Sequence, residues 1–211
     1  MSVVGIVPAG GSGERLGADR PKAFVVCAGR PLIEWSLEVL ASVCDRVVVA
    51  APDGYDEGED RVRGAESRSA SVRNAVEAAP EGSVFVVHDA ARPLVTRELV
   101  QRCLDALQPG VDGAIAAVPM TDTVKEVATD GRVLRTLDRS TLWAVQTPQV
   151  FRADILRRAL ERDAAALAAA TDDAWLVDDV GGVIAVVESF PENLKVTRES
   201  DLRIAEALLA H

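Results

Sequence analysis

The chain has 211 residues, of which 48% are hydrophobic and 27% charged, a balance that supports one well-buried domain and excludes intrinsic disorder. Its net charge of −10 argues against a nucleic-acid surface, because phosphate-backbone binding needs a basic face. No stretch approaches the roughly 18 apolar residues of a membrane-spanning helix, and the opening MSVVGIVPAG lacks the basic region of a signal peptide, so the expectation is a cytoplasmic protein with neither nucleic-acid nor membrane partners.

In chain order, Ser2 to Val7 reads as a short buried strand, followed by the glycine-dense stretch PAGGSGERLGADRPKAF from Pro8 to Phe24. Three cysteines, Cys27, Cys44 and Cys103, lie far apart with no CxxC pair, and the histidines are His88 and His211. That pattern disfavours a zinc site or disulfide framework and reads as small core-filling residues. Pro31 to Val43 carries apolar residues at helical spacing behind a proline suited to a first helical turn. Arg46 to Ala51 is a continuous β-branched run, as in a strand covered on both faces. Ser69 to Ala79 reads as a helix and Ser83 to His88 as another buried strand. Thr96 to Leu107 is an amphipathic helix with Thr96 as its N-cap, and Gly113 to Val118 is again a strand.

Residues 119–148 break this rhythm. DTVKEV, RVLRTL and LWAVQT are short alternating pieces separated by turn residues such as Asp130-Gly131, a hairpin signal. A two-stranded extension is marginal alone, so the reading is a single domain over 1–211 from which 119–148 protrudes as a β-arm that packs on a second subunit. An intramolecular flap fits the same pattern. Beyond Pro148 the sequence predicts one surface helix over Ala153 to Ala169, favoured by its alanines, and a short acidic helix after Thr171. A strand at Val183 to Val187 and a helix from Arg198 complete the chain. Strands alternating with helices of about a dozen residues define an α/β fold, with a Rossmann-like, mainly parallel sheet flanked by helices. Ligands in such sheets sit beyond the carboxyl ends of the strands.

Three phosphate-binding readings compete for GGSGERLG. A P-loop needs Lys-Ser or Lys-Thr after its glycines, and none follows. A dinucleotide fingerprint fits Gly11 and Gly13, but Leu16 takes the third glycine position and Pro21 stands where the helix should continue. The third reading is a nucleotidyltransferase loop, with backbone N–H groups near a triphosphate and Arg15 and Lys22 as two fixed cations. A nucleoside triphosphate beside a phosphate monoester assembles about six negative charges, roughly two of them from the monoester. One unit charge pair at 4 Å is worth about 4 kcal/mol at an effective dielectric of 20. Such a reaction therefore requires clustered cations and Mg²⁺. A plain strand-to-helix turn would use the same glycines; Arg15 and Lys22 in that loop favour the phosphate ligand.

Together with PAGGSGERLGADRPKAF, the stretches HDAARP (88–93), VPMTDTVK (118–125), LWAVQTPQVF (142–151), TDDA (171–174) and NLKVTRESDL (193–202) occur in this order. The chain resembles, over nearly its whole length, the 2-C-methyl-D-erythritol 4-phosphate cytidylyltransferase family of the non-mevalonate isoprenoid pathway. The resemblance implies transfer of CMP from CTP to methylerythritol phosphate with a divalent cation such as Mg²⁺, in a homodimer. It makes Arg15, Lys22 and Lys195 the catalytic cations. Pro8, Ala9, Gly10, Gly11, Ser12 and Gly13 would contact CTP, with Ala65, Glu66 and Ser71 at cytosine and ribose, and Arg68 nearby without a defined role. Asp89 would lie near the metal and the acceptor. Arg92, Thr147 and Thr171 would hold the acceptor, as would Thr123 and Arg139, which reach across from the neighbouring subunit. Read without the family, Asp89 is a turn or helix cap, Lys195 a solvated charge and Thr171 an N-cap.

Three departures from the family stand out: Gly10 where alanine is common, Ala23 where a glutamine or similar residue often follows Pro-Lys, and a shortened 52–64 segment that leaves the base-contacting loop's path open. Ribitol 5-phosphate cytidylyl transfer and non-catalytic nucleotide binding are the alternative readings.

Overall fold

The buried β-branched runs assemble side by side because each must hide two apolar faces, and the helices between them supply the cover. The computed structural model describes residues 1–17 and 19–210; Ala18, inside the glycine-rich stretch, and His211 lie outside the described residues. The elements are β1 (Val3–Pro8), β2 (Val26–Cys27), β3 (Arg30–Pro31), α1 (Leu32–Ala41), β4 (Arg46–Ala51), β5 (Arg61–Arg63), α2 (Arg68–Glu77), β6 (Val84–Val87) and α3 (Arg97–Asp105). They continue with β7 (Gly113–Pro119), β8 (Lys125–Val127), β9 (Val133–Thr136), β10 (Trp143–Arg152), α4 (Ala153–Leu160), α5 (Ala164–Ala169), α6 (Asp173–Asp179), β11 (Ile184–Glu188) and α7 (Glu199–Leu209).

The central sheet has the order β11-β7-β10-β6-β1-β4-β5, with β10 antiparallel to both neighbours and the other pairings parallel. Side chains alternate between two cores. Val4, Ile6, Val48 and Ala50 face the layer of α2, α4, α5 and α6, and Val7, Val49 and Ala51 face α1 and α3. β7 crosses β10 so closely that a Cβ at Gly113 would lie 2.5 Å from Cδ1 of the buried Phe151 ring. A third small core of Cys27, Leu32, Val196 and Ala205 fastens α7 against β2 and β3. All three cysteines are free and buried, and burial pushes the thiols of Cys44 and Cys103 up to about 12.

The α/β architecture is as expected, with local differences. LWAVQT does not leave the sheet: its residues from Trp143 onward open β10, which pairs with β7 from Trp143↔Pro119 inward. Its outer half leaves Trp143 and Val145 exposed, which gives a buried-sheet strand the alternating pattern of an arm. Of the 119–148 region, β8 and β9 stand apart from the central sheet, as a separate two-stranded antiparallel sheet.

The expected helix over 153–169 is two helices. The Asp163 side chain accepts from the Ala166 N–H at 2.8 Å and starts α5 afresh, because an N-cap carboxylate satisfies a donor that a continuous helix would use internally. Thr96 caps α3 as expected, accepting from Leu99 N–H. Asp172 rather than Thr171 caps α6, accepting from Trp175 N–H at 2.8 Å. The short 52–64 segment closes by adding β5 to the sheet edge. Gly64 N–H then donates to the Ala51 carbonyl at 2.7 Å, an approach at which a Cβ would sit 3.2 Å from that oxygen. Among the described residues, no helix is long and apolar enough to cross a membrane.

Candidate active site

The loops leaving the carboxyl ends of β1, β5 and β6 meet at one edge of the sheet and enclose a cleft of about 250 Å³, where this class of sheet binds its ligands. The glycine loop forms one wall. Gly13 has φ 81°, a left-handed conformation that favours glycine, and leads into a single 3₁₀ turn, Glu14–Leu16, that carries Arg15. Pro21 then ends the excursion, and the Lys22 N–H donates to the Gly11 carbonyl at 2.9 Å. This closure folds the Lys22 side chain back over the glycines, so that a Cβ on Gly11 would lie 3.7 Å from Lys22 Cε.

The floor is fixed by a buried polar chain. His88 is fully buried, and its Nε2 lies 3.2 Å from the Arg92 carbonyl. That carbonyl can only accept, so Nε2 carries the proton and Nδ1 accepts from the Thr147 hydroxyl at 3.1 Å. The same hydroxyl oxygen accepts from the Asp89 N–H at 3.0 Å. Burial pushes the His88 pKa down to about 4, against the pull of Asp89, which keeps the ring neutral as this arrangement requires. Arg92 donates to the Asn193 carbonyl at 2.7 Å, and Asn193 in turn donates to the Thr147 carbonyl at 2.9 Å.

Above this floor, Asp89 receives Arg68 Nε at 2.8 Å on one oxygen and Lys195 Nζ at 2.6 Å on the other. Arg68 also reaches Asp173 at 2.6 Å. Burial opposes the charge on Asp89, yet Arg68 and Lys195 hold its carboxyl well below the usual carboxylate range. Four cationic side chains, Arg15, Lys22, Arg68 and Lys195, line the cleft against two carboxylates, Glu66 and Asp89. In a chain of net charge −10 this is a local reversal of sign. Burial, reinforced by Lys195, pushes the Lys22 ammonium down to about 8, with Asp89 opposing and Arg15 and Arg92 adding to the fall. A lysine whose charge is opposed by burial and by neighbouring cations suits an anionic ligand.

The expected contact residues Pro8, Ala9, Gly10, Gly11, Arg15, Lys22, Ala65, Glu66, Ser71, Asp89 and Lys195 all line the cleft. Ser12 and Gly13 line an adjoining cavity of about 100 Å³ that shares Gly11, Arg15 and Lys22. Ala23, the departure after Pro-Lys, also lines the main cleft. Arg92 and Thr147 are buried behind the wall, so the Thr147 hydroxyl orients Asp89 and His88 rather than facing the cleft. Thr123 and Arg139 lie on the exposed 119–142 excursion, where Arg139 donates to the Thr121 carbonyl. Thr171 is exposed just before α6. Sequence reasoning missed Asp173 and gave Arg68 no defined task. Their contact spans 105 residues, and no local signal in the sequence pairs them.

A mainly parallel sheet with a glycine loop and surplus cations at its carboxyl edge is the layout of a nucleotidyltransferase. The family model for IspD, 2-C-methyl-D-erythritol 4-phosphate cytidylyltransferase, matches residues 3–211. The protein of that name from Nocardia farcinica is 42% identical over 220 residues, covering 99% of this chain and 94% of that protein. Its counterpart from Rubrobacter xylanophilus is 42% identical over 221 residues, covering 98% and 94%. The crystal structure of 2-C-methyl-D-erythritol 4-phosphate cytidylyltransferase from Thermus thermophilus superposes with a TM-score of 0.84 at 35% identity, covering all of both chains. The chain belongs to the 2-C-methyl-D-erythritol 4-phosphate cytidylyltransferase family.

Replacing Thr147 with Val removes the hydroxyl that serves both Asp89 N–H and His88 Nδ1. Stability should fall by about 1–3 kcal/mol, the cost of leaving buried polar groups unpaired. Denaturant unfolding of the variant measures this, and an unchanged midpoint would refute the linkage.

Proposed function

We propose that this chain transfers CMP from CTP to 2-C-methyl-D-erythritol 4-phosphate, and that Arg15, Lys22 and Lys195 are the cations that make the transfer possible. The supporting observation is the excess of cationic side chains over the glycine loop, in a member of a family named for that reaction. Backbone groups of residues 8–13 would cradle the triphosphate, and the loop of Ala65 and Glu66 would hold cytosine and ribose. That loop is held by the Ser71 Oγ, which accepts from the Ala65 N–H at 2.9 Å. An acceptor phosphate oxygen would attack the α-phosphorus in line, forming a new P–O bond while the bond to the β-phosphate oxygen breaks and its electrons leave with pyrophosphate. The attacking phosphate is already ionised, so no general base is needed, and the neutral, fully hydrogen-bonded His88 serves the floor alone. Arg15 and Lys22 would stabilise the charge that develops on the five-coordinate phosphorus.

The donor set suits a divalent ion held mainly by phosphate oxygens. Among the described residues no three His, Cys, Asp or Glu side chains cluster as a metal cage, and Asp89 is the buried carboxylate in the cleft lining. One carboxylate plus substrate phosphates is a common Mg²⁺ arrangement. Asp89 would hold such an ion, which when bound neutralises phosphate charge and polarises the α-phosphoryl group.

The acceptor side is built on a homodimer in this reading. All of β9 is exposed, including Val133 and Leu134, with Val127 exposed on β8. An isolated two-stranded hairpin is marginal in water, so a second subunit would cover it and receive Thr123 and Arg139 beside Arg92 and Thr171. Sedimentation at micromolar concentration should give twice the chain mass, and a monomer would overturn the dimer reading.

A pyrophosphate-release panel crossing four nucleoside triphosphates with methylerythritol 4-phosphate and ribitol 5-phosphate tests the reaction itself. Release is expected with CTP and methylerythritol 4-phosphate. Preference for ribitol 5-phosphate would replace the acceptor, and CTP binding without release would make the chain a non-catalytic nucleotide-binding protein.

A further inference from the structure

Asp89 has two fixed contacts and one movable one. Its backbone N–H is tied to Thr147 at 3.0 Å, and one carboxylate oxygen accepts from Arg68 Nε at 2.8 Å. Arg68 is anchored in turn by Asp173, whose side chain is fully buried. α6, which carries Asp173, is held to β10 by Gln149, which donates to Asp172 at 2.8 Å. The other Asp89 oxygen is held by Lys195 alone, at 2.6 Å, and the Lys195 side chain is 41% exposed against 26% for Arg68.

These two ion pairs differ in how easily they break. Separating the Arg68 pair would strand desolvated charges, which is costly, whereas an exposed lysine pair is weak and exchanges readily with water or another anion. Lys195 lines the same cleft as Arg15 and Lys22, so a polyanion bound there would compete with Asp89 for it. Lys195 can answer only if Asp89 is left with a compensating charge. Arg68 supplies that charge.

We propose that Arg68 is a positioning residue: by keeping a positive charge, shared with Asp173, on one oxygen of Asp89, it offsets that carboxylate enough to free Lys195 to move from the other oxygen to the triphosphate of the nucleotide. The inference rests on the reading of the cleft as a CTP site. Departure of Lys195 would also vacate one oxygen of Asp89, a residue of the cleft lining. Without Arg68, Lys195 would be the one cation in direct contact with a buried carboxylate and would stay locked on it, withdrawing one cation from the nucleotide.

The test is calorimetric binding of CTP with Mg²⁺, in the absence of acceptor, to wild type, Arg68→Met, Asp89→Asn and the double variant. Circular dichroism and the unfolding midpoint show whether each variant is folded. Arg68→Gln, which keeps hydrogen-bond donors without the charge, carries the same expectation where Arg68→Met does not fold. Arg68→Met should bind CTP at least about tenfold more weakly than wild type, the loss of one charge-assisted contact. In the Asp89→Asn background there is no carboxylate to neutralise, so adding Arg68→Met should change the affinity by less than about threefold, within the usual range for uncoupled sites. Arg68→Lys, which restores the charge, should recover most of the affinity. An Arg68→Met variant that binds like wild type would overturn the inference, as would an equal tenfold loss in the Asp89→Asn background, which would mark a structural role or direct contact with CTP. Failure of wild type to bind CTP would instead contradict the nucleotide reading on which the inference rests.

Discussion

The organising constraint is the concentration of positive charge at one sheet edge of a strongly acidic chain. Like charges gathered in a partly desolvated cleft repel, and burial together with that repulsion pushes the Lys22 ammonium down to about 8. The fold must therefore hold Arg15, Lys22, Arg68 and Lys195 together against that repulsion without fully neutralising them. It does so with few carboxylates, placed so that Asp89 and Asp173 restrain Arg68 and Lys195 while Arg15 and Lys22 have no ion-pair partner among the described residues. The unbalanced charge that remains suits a polyphosphate and would be a poor site for a neutral ligand.

Holding such a cluster needs a floor that does not relax. The His88, Thr147 and Asp89 chain supplies it by joining the end of β6 to β10 through groups that are buried and mutually satisfied. The antiparallel insertion of β10 matters here: it brings Thr147 beside the loop after β6, and Gln149 beside the start of α6. The floor of the cleft and the helix that anchors Arg68 are thus tied to one strand. A buried network of this kind gains from the low local dielectric only when every member is paired, and the neutral form of His88 is what allows the pairing.

Much of this was legible in the sequence, and what was not has identifiable physical causes. β1, β4 and β6 were readable as continuous β-branched runs because they are buried on both faces. The glycine loop with Arg15 and Lys22 was readable because its parts are adjacent. β10 was not, since its outer half exposes Trp143 and Val145 and so mimics a solvent-facing hairpin. The break between α4 and α5 was hidden by the helix propensity of the alanines, which outweighed the capping signal of Asp163. β5 is three residues long, too short for any period to show. The Arg68 to Asp173 pair joins elements 105 residues apart, and no local pattern encodes such a contact. The tasks of Lys195 and Arg139 were legible only through resemblance to a family, because one lysine or arginine near a strand reads as a solvated charge.

The surplus charge in the cleft is measurable as proton uptake on nucleotide binding. A bound triphosphate favours protonated Lys22, so a group that ionises near pH 8 in the free protein must take up a proton when the anion arrives, and affinity must fall as pH rises through 8. Calorimetry of CTP binding at pH 8 in buffers of different ionisation enthalpy should show uptake of about half a proton per site, as expected for a group near its midpoint. Lys22→Met should abolish it. CTP binding to wild type with no net proton uptake relative to Lys22→Met would contradict the account.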